Sequence, residues 1–144
     1  MSPPLWLVSI PVGFAYTFFP RILSLVLQIK SGVPLQNAHP RDQPGSKEVA
    51  MKDTDGYVRR AYSAHQNCWE AMILWTAAVM VAKAMDVDED KMNCSAAVWM
   101  LSRAVYVPAY TFIQTHKASF FRTAVFTVGM VTSFHLMYEA VKKA

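Results

Sequence analysis

Four long apolar segments constrain the fold of this chain more than any other feature of its sequence. They occupy residues 5–29, 61–85, 94–113 and 119–141. A helix needs about 20 residues to cross a hydrocarbon core of about 30 Å, and each segment has that length. Because 53% of the 144 residues are hydrophobic and only 17% are charged, the sequence predicts an all-α fold. We expect a single integral membrane domain, 1–144, with four spanning helices.

The first segment lies near the N-terminus but lacks the basic start and the small-residue cleavage site of a signal peptide. We therefore expect it to remain in the protein as a membrane span. Pro11 and Pro20 lie inside it, and each removes a backbone hydrogen bond, which predicts kinks. Arg21 is close enough to the end of the segment to reach the interface, or it lines a site; both interpretations stay open.

The connections between the segments contain no recognisable second domain. Residues 30–59 are polar and interrupted by glycines and prolines, which indicates a loop. Asp53, Thr54 and Asp55 near its end are candidates to cap a helix that continues into the second span. The acidic run from Asp86 to Asp90 lacks the glycine and terminal glutamate of an EF-hand. A solvated turn is favoured there, and no metal site is predicted.

Basic residues are distributed unequally between the two ends of the segments. One side carries Lys30, Arg41, Lys47, Lys52, Arg59, Arg60 and Lys117, and the other carries Lys83, Lys91, Lys142 and Lys143. Since the cytoplasmic side retains the excess of Lys and Arg, we expect both termini on the opposite side. The net charge is +4, but the basic residues form no clustered face, so nucleic-acid binding is not expected.

A polar stripe enters the second segment. Arg60, Ser63, Asn67 and Glu70 recur at intervals of three and four residues, which places them on one face of a helix. A charge at the centre of a membrane helix costs about 2.5 to 3.5 kcal/mol on insertion scales, so the stripe must face protein or a wet cavity. Such a stripe is typical of a functional site.

The third segment holds a central charge. Arg103 lies near its middle, and Tyr106 and Tyr110 follow on the same face. At about 1.5 Å per residue, Glu70 lies about 15 Å along its helix from Arg60, which matches the depth of Arg103. We therefore expect an ion pair between Glu70 and Arg103.

The remaining polar groups are predicted to form a pocket. With the orientation above, Asn67, Tyr110 and Arg122 fall in the cytoplasmic half, where they and Arg60 could hold an anionic small molecule. The alternative is that these groups only hold helices together. His65 lies off the stripe and is expected to be structural or interfacial.

The two cysteines are not expected to pair. Cys68 lies in the first half of the second segment and Cys94 at the start of the third. These positions differ in membrane depth, whereas a disulfide needs Cα atoms within about 7 Å. We expect two free thiols, with Cys68 acting as a small buried apolar residue.

Two of these motifs together suggest a family. Arg60-x-x-x-Ala64-His65-x-Asn67-x-x-Glu70, followed by Arg103-x-x-Tyr106-x-x-x-Tyr110, resembles the MAPEG family, the membrane-associated proteins of eicosanoid and glutathione metabolism. The turn at His39-Pro-Arg-Asp42 is similar to a turn of that family. The resemblance implies a homotrimer of four-helix bundles that binds glutathione between subunits. It implies glutathione contacts from Arg60, Asn67, Glu70, Arg103, Tyr106 and Tyr110, and a catalytic role for Arg122 in stabilising the thiolate.

The sequence departs from the better known relatives at three positions. Ser63 and Gln66 stand where eicosanoid-synthesising relatives often have arginine, and Phe126 stands where some have tyrosine. Two functions therefore stay open. One is a glutathione-dependent transferase or peroxidase acting on lipophilic electrophiles or lipid hydroperoxides. The other is a non-catalytic membrane protein of the same fold that binds a lipophile or a protein partner.

Two further expectations concern transport and location. A transporter is disfavoured because the four segments contain no internal repeat. In a eukaryotic cell the resemblance implies a multi-pass protein of the endoplasmic reticulum or another intracellular membrane.

Overall fold

The computed structural model of the chain describes residues 2–35, 38 and 40–144, apart from the side chains of residues 116–118. The described residues contain five α-helices and no strand, so the predicted all-α class is confirmed. The helices are α1 (Leu5–Lys30), α2 (Lys47–Lys52), α3 (Tyr57–Ala84), α4 (Glu89–Phe112) and α5 (His116–Val141). Neither α2 nor the 3-10 turn Gln43–Gly45 before it was predicted from the sequence. The predicted turn at residues 39–42 includes position 39, which lies outside the described residues.

Two of the long helices, α3 and α4, begin earlier than the apolar segments because polar residues cap them. The carboxylate of Asp53 accepts hydrogen bonds from the backbone N–H groups of Tyr57 at 3.0 Å and Val58 at 2.8 Å. This confirms the predicted cap and starts α3 before residue 61. In the same way Asp88 accepts a bond from the N–H of Lys91 at 3.2 Å at the start of α4.

Close packing at one end of the molecule joins α1, α3 and α4. The ring of Trp75 stacks on that of Trp99 with centroids 5.1 Å apart, and Trp75 Nε1 donates to Ser9 Oγ at 2.9 Å. Gly13 permits this approach, since a Cβ there would lie 2.5 Å from Met72 Sδ. The helices are therefore fixed in position by aromatic stacking and one buried polar bond.

Two side chains outside this core hold α1 against its neighbours. His65 Nδ1 lies 2.6 Å from the carbonyl oxygen of Thr17, which agrees with a structural role. Arg21 donates to the carbonyl of Pro40 at 3.1 Å and lies 5.0 Å over the ring of Tyr62. Arg21 therefore ties the first loop to the helices.

The cysteines are unpaired, as predicted: Cys68 is buried and Cys94 is exposed.

Two helices of the described chain are long and apolar enough to cross a membrane. They are Leu5–Lys30 and the part of α5 from Ser119 to Val141. Large apolar side chains on both are exposed, including Ile22 at 58% and Val131 at 58%. The other two predicted spans lie in α3 and α4, which do not meet the same measure of length and apolarity among the described residues. These two helices, together with α5, carry the polar groups of the site.

Candidate functional site

A polar pocket of about 280 Å³ lies between α3, α4 and α5. Its walls are Asn67, Glu70, Tyr106, Tyr110, Arg122, Thr123 and Phe126. Five of these side chains were singled out from the sequence, on three different helices. The polar stripe of α3 and the tyrosine face of α4 meet here because both turn toward the N-terminal half of α5.

The floor of the pocket is a hydrogen-bonded aromatic cluster. Asn67 Nδ2 donates to the hydroxyl of Tyr106 at 2.7 Å. The ring of Tyr106, which is only 2% exposed, lies 5.4 Å from that of Tyr110 and 5.3 Å from that of Phe126. One bond thus fixes α3 against α4 and orients both groups toward the cavity.

The pocket also presents two opposite charges. The guanidinium of Arg122 lies 5.1 Å over the ring of Tyr110, which orients it by a cation–π contact. Among the described residues, Arg122 has no ion-pair partner. Glu70 is exposed, and within the same residues it makes no hydrogen bond or ion pair. Both charges are therefore available to a ligand with groups of both signs.

Arg103 does not pair with Glu70, and this prediction was wrong. No ion pair joins them within the described part of the chain. The guanidinium of Arg103 instead lies between the rings of Tyr106, at 5.0 Å, and Phe126, at 4.9 Å. Its Nη2 donates to the carbonyl of Phe126 at 3.1 Å. The side chain turns toward α5, and helical spacing did not predict that direction.

Two small residues that the sequence analysis missed make room for Arg103. Its Nε donates to Ser102 Oγ at 3.3 Å, and a Cβ at Gly129 would lie 2.5 Å from its Nη2. A lone glycine inside an apolar helix often marks such a close approach, so Gly129 could have been found from the sequence. Arg103 is 1% exposed and supports the floor of the pocket from behind.

Arg60 lies outside the polar pocket. Its Nε donates to the carbonyl of Thr111 at 2.9 Å and its Nη2 to that of Asp55 at 2.6 Å. The last carbonyls of a helix lack partners within the helix, so Arg60 satisfies one at the end of α4. In this chain Arg60 fixes the position of α4. Thr123 and Phe126 line the polar pocket, and Arg60 does not. The only sequence signal for Thr123 is that it directly follows Arg122.

The described residues thus form an all-α fold with two helices apolar enough to cross a membrane and a charged pocket between three of its long helices. Comparison with known families makes the assignment specific: the MAPEG family model matches residues 6–142, and the chain belongs to the MAPEG family. No curated protein and no solved structure gives a match.

Proposed function

We propose that this MAPEG protein is a glutathione-dependent transferase or peroxidase that acts on lipophilic electrophiles or lipid hydroperoxides. The observation that carries the proposal is that Arg122 and Glu70, each without an ion-pair partner among the described residues, line one pocket. Glutathione carries carboxylates, an ammonium group and a thiol. A site with one free cation and one free carboxylate suits such a molecule.

The pocket residues have distinct roles in this proposal. Glu70 receives the ammonium group, while Asn67, Tyr106 and Tyr110 orient the peptide with neutral polar groups. Arg122 stabilises the thiolate. A thiol of pKa about 8.5 is only about 3% ionised at pH 7, and a neighbouring cation raises that fraction. The sulfur of glutathione is then the nucleophile. Arg103 and Arg60 position the walls rather than contact the substrate.

Assembly and topology belong to the same proposal. The volume of about 280 Å³ is slightly below the range of about 300 to 1,000 Å³ typical of ligand pockets. A neighbouring copy would complete the wall, which agrees with the trimer that the family resemblance implies. The four long helices then form one bundle that spans an intracellular membrane, with the pocket toward the cytoplasm.

A second candidate function is non-catalytic binding of a lipophile. A groove of about 540 Å³ lies between α1 and α4, and its walls include Phe19, Ile22 and Val107. Such a surface suits a hydrocarbon chain from the bilayer. This function needs neither Arg122 nor glutathione.

Difference absorbance separates the two candidates. The detergent-solubilised protein is titrated with glutathione near pH 7 while the ultraviolet band of the thiolate is followed. S-methylglutathione, which has no thiol, is the control for binding without ionisation. A saturable thiolate band that appears with glutathione and not with S-methylglutathione supports the enzyme function. No band, together with no heat of binding in calorimetry, rejects glutathione use and favours lipophile binding.

A further inference from the structure

The apolar groove of about 540 Å³ between α1 and α4 also has polar groups in its wall. We call it the α1–α4 groove. Its wall on α1 includes the exposed side chains of Phe18, Phe19 and Ile22. Its wall on α4 includes Arg103, Ala104 and Pro108. Two of the α4 residues carry a hydrogen-bonding group without a partner among the described residues, and these two groups indicate what the groove binds.

The first free group is a backbone acceptor. Residue 108 lies inside α4, but proline has no N–H to donate to the carbonyl four residues earlier, which is that of Ala104. In the described part of the chain no side chain donates to this carbonyl either. Inside a bilayer no bulk water replaces the lost donor, so a free carbonyl there is costly. Ala104 and Pro108 both line the groove, and a ligand with a donor can satisfy this carbonyl.

The second free group is a donor on Arg103. Its Nε donates to Ser102 Oγ and its Nη2 to the carbonyl of Phe126, both from one edge of the planar guanidinium. Nη1, at the other edge, is buried and has no hydrogen-bond partner. The side chain is 1% exposed, and no carboxylate within the described residues pairs with it. Because an unsatisfied buried cation is costly, Nη1 indicates a ligand that accepts a hydrogen bond.

The two free groups together favour a hydroxyl. A carboxylate accepts from Nη1 but has no proton for the carbonyl of Ala104, and an ammonium group donates to the carbonyl but cannot accept from Nη1. A hydroxyl donates one hydrogen bond and accepts others. The aromatic and aliphatic walls suit a hydrocarbon chain on either side of it.

The depth of the two groups indicates where on a lipid this hydroxyl lies. With the membrane placement proposed above, Arg103 lies about 14 Å from the end of α4 at Phe112. That distance is close to half of the hydrocarbon thickness of about 30 Å. Lipid head groups and the hydroxyl of a sterol stay at the interface, so they do not reach this depth. An oxygen carried by the acyl chain itself does reach it.

We propose that the α1–α4 groove binds a hydroxylated acyl chain. Its mid-chain hydroxyl donates to the carbonyl of Ala104 and accepts from Nη1 of Arg103, while the hydrocarbon packs against Phe18, Phe19 and Ile22. This site rests on the lipophile-binding candidate described above and gives that candidate a ligand class. It needs neither glutathione nor the polar pocket.

Native mass spectrometry tests the site. The full-length protein is released from micelles after incubation with equal amounts of 12-hydroxystearic acid and stearic acid, without glutathione. We expect the hydroxylated acid to be bound in about tenfold excess or more, because it forms two additional hydrogen bonds, one of them charge-assisted. In a separate competition, 2-hydroxystearic acid, whose hydroxyl lies beside the head group, is expected to bind no better than stearic acid.

Two proline variants test the origin of the preference. Pro108→Ala supplies the N–H that the carbonyl of Ala104 lacks, so this variant is expected to bind both acids about equally and to retain stearic acid. Pro11→Ala is the matched control, because it restores a backbone donor inside α1 at a position outside the groove. It is expected to keep the tenfold preference. The micelle distributes the two acids identically for both variants.

Each contrary outcome has its own meaning. Equal binding of the two acids by the wild-type protein would overturn the hydroxyl site, with water satisfying the free groups, and would leave lipophile binding standing. A preference that persists in Pro108→Ala would also overturn it. Binding of neither acid would reject lipophile binding as well and leave a second copy of the chain as the occupant of the groove. None of these results depends on Arg122, so they are distinct from the absorbance test with glutathione.

Discussion

The guanidinium of Arg103 reaches α5 because position 129 has no side chain. A Cβ at Gly129 would lie 2.5 Å from Nη2 of Arg103 and 2.7 Å from Ser102 Oγ. The cation occupies that space, donates to the carbonyl of Phe126 and stacks on its ring. A glycine on one helix thus positions an arginine on another, and the arginine supports the floor of the polar pocket.

Replacement of Gly129 by alanine is expected to destabilise the protein. The new methyl group forces the guanidinium away from the carbonyl of Phe126, and overpacking of this kind costs about 1 to 3 kcal/mol. Thermal unfolding in detergent measures the effect. Gly45→Ala is the matched control, because a Cβ at Gly45 meets nothing within 4 Å. Equal unfolding temperatures for the two variants would contradict this account of Arg103.

Tyr106→Phe is expected to weaken the contact between α3 and α4. The variant keeps the ring but removes the acceptor of the 2.7 Å bond from Asn67, at a cost of about 1 kcal/mol. Chemical unfolding in mixed micelles gives the free energy of unfolding. Tyr138→Phe, at a tyrosine that is 57% exposed, is the control and should change little. The double variant with Asn67→Ala should lose less than the sum of the single losses, since both remove the same bond.

Arg122→Ala is expected to abolish the glutathione thiolate band near pH 7 without changing unfolding temperature. The side chain contacts the ring of Tyr110 but no carboxylate among the described residues, so its removal leaves no buried charge unpaired. Arg122→Lys keeps a cation and should retain part of the band. The control is Arg59→Ala, at an exposed arginine outside the pocket. A thiolate band of wild-type size in Arg122→Ala would remove this residue from the mechanism.

Glu70→Gln is expected to weaken glutathione binding and to leave stability nearly unchanged. The carboxylate is exposed and has no partner in the described structure, so folding does not depend on its charge. Loss of one charge-assisted hydrogen bond to the ligand costs about 1.5 to 3 kcal/mol, or roughly tenfold or more in affinity. Calorimetry with S-methylglutathione measures it. A folding defect with unchanged affinity for S-methylglutathione would contradict the ligand-binding role of Glu70.

The sequence predicted the long helices from the lengths of its apolar segments, and it predicted Asn67, Tyr110 and Arg122 of the pocket from helical spacing and depth. The family resemblance added Glu70 and Tyr106. Asn67 and Glu70 share a face of α3, and Tyr106 and Tyr110 share a face of α4, because helical periodicity fixes which residues of one helix lie together. The same periodicity could not tell which neighbour Arg103 would face. The predicted partner of that residue was therefore wrong.

What the sequence determined by itself is the all-α class, the family and the set of polar residues that are too costly to place in lipid. The tertiary structure decided how those residues are used. Arg60 satisfies the end of α4, Arg103 fills the space beside Gly129, and Arg122 reaches the pocket with its charge unpaired in the described structure. The physical reason is that spacing along a helix sets the direction in which each side chain points, whereas the distance between helices depends on packed side chains far apart in the sequence.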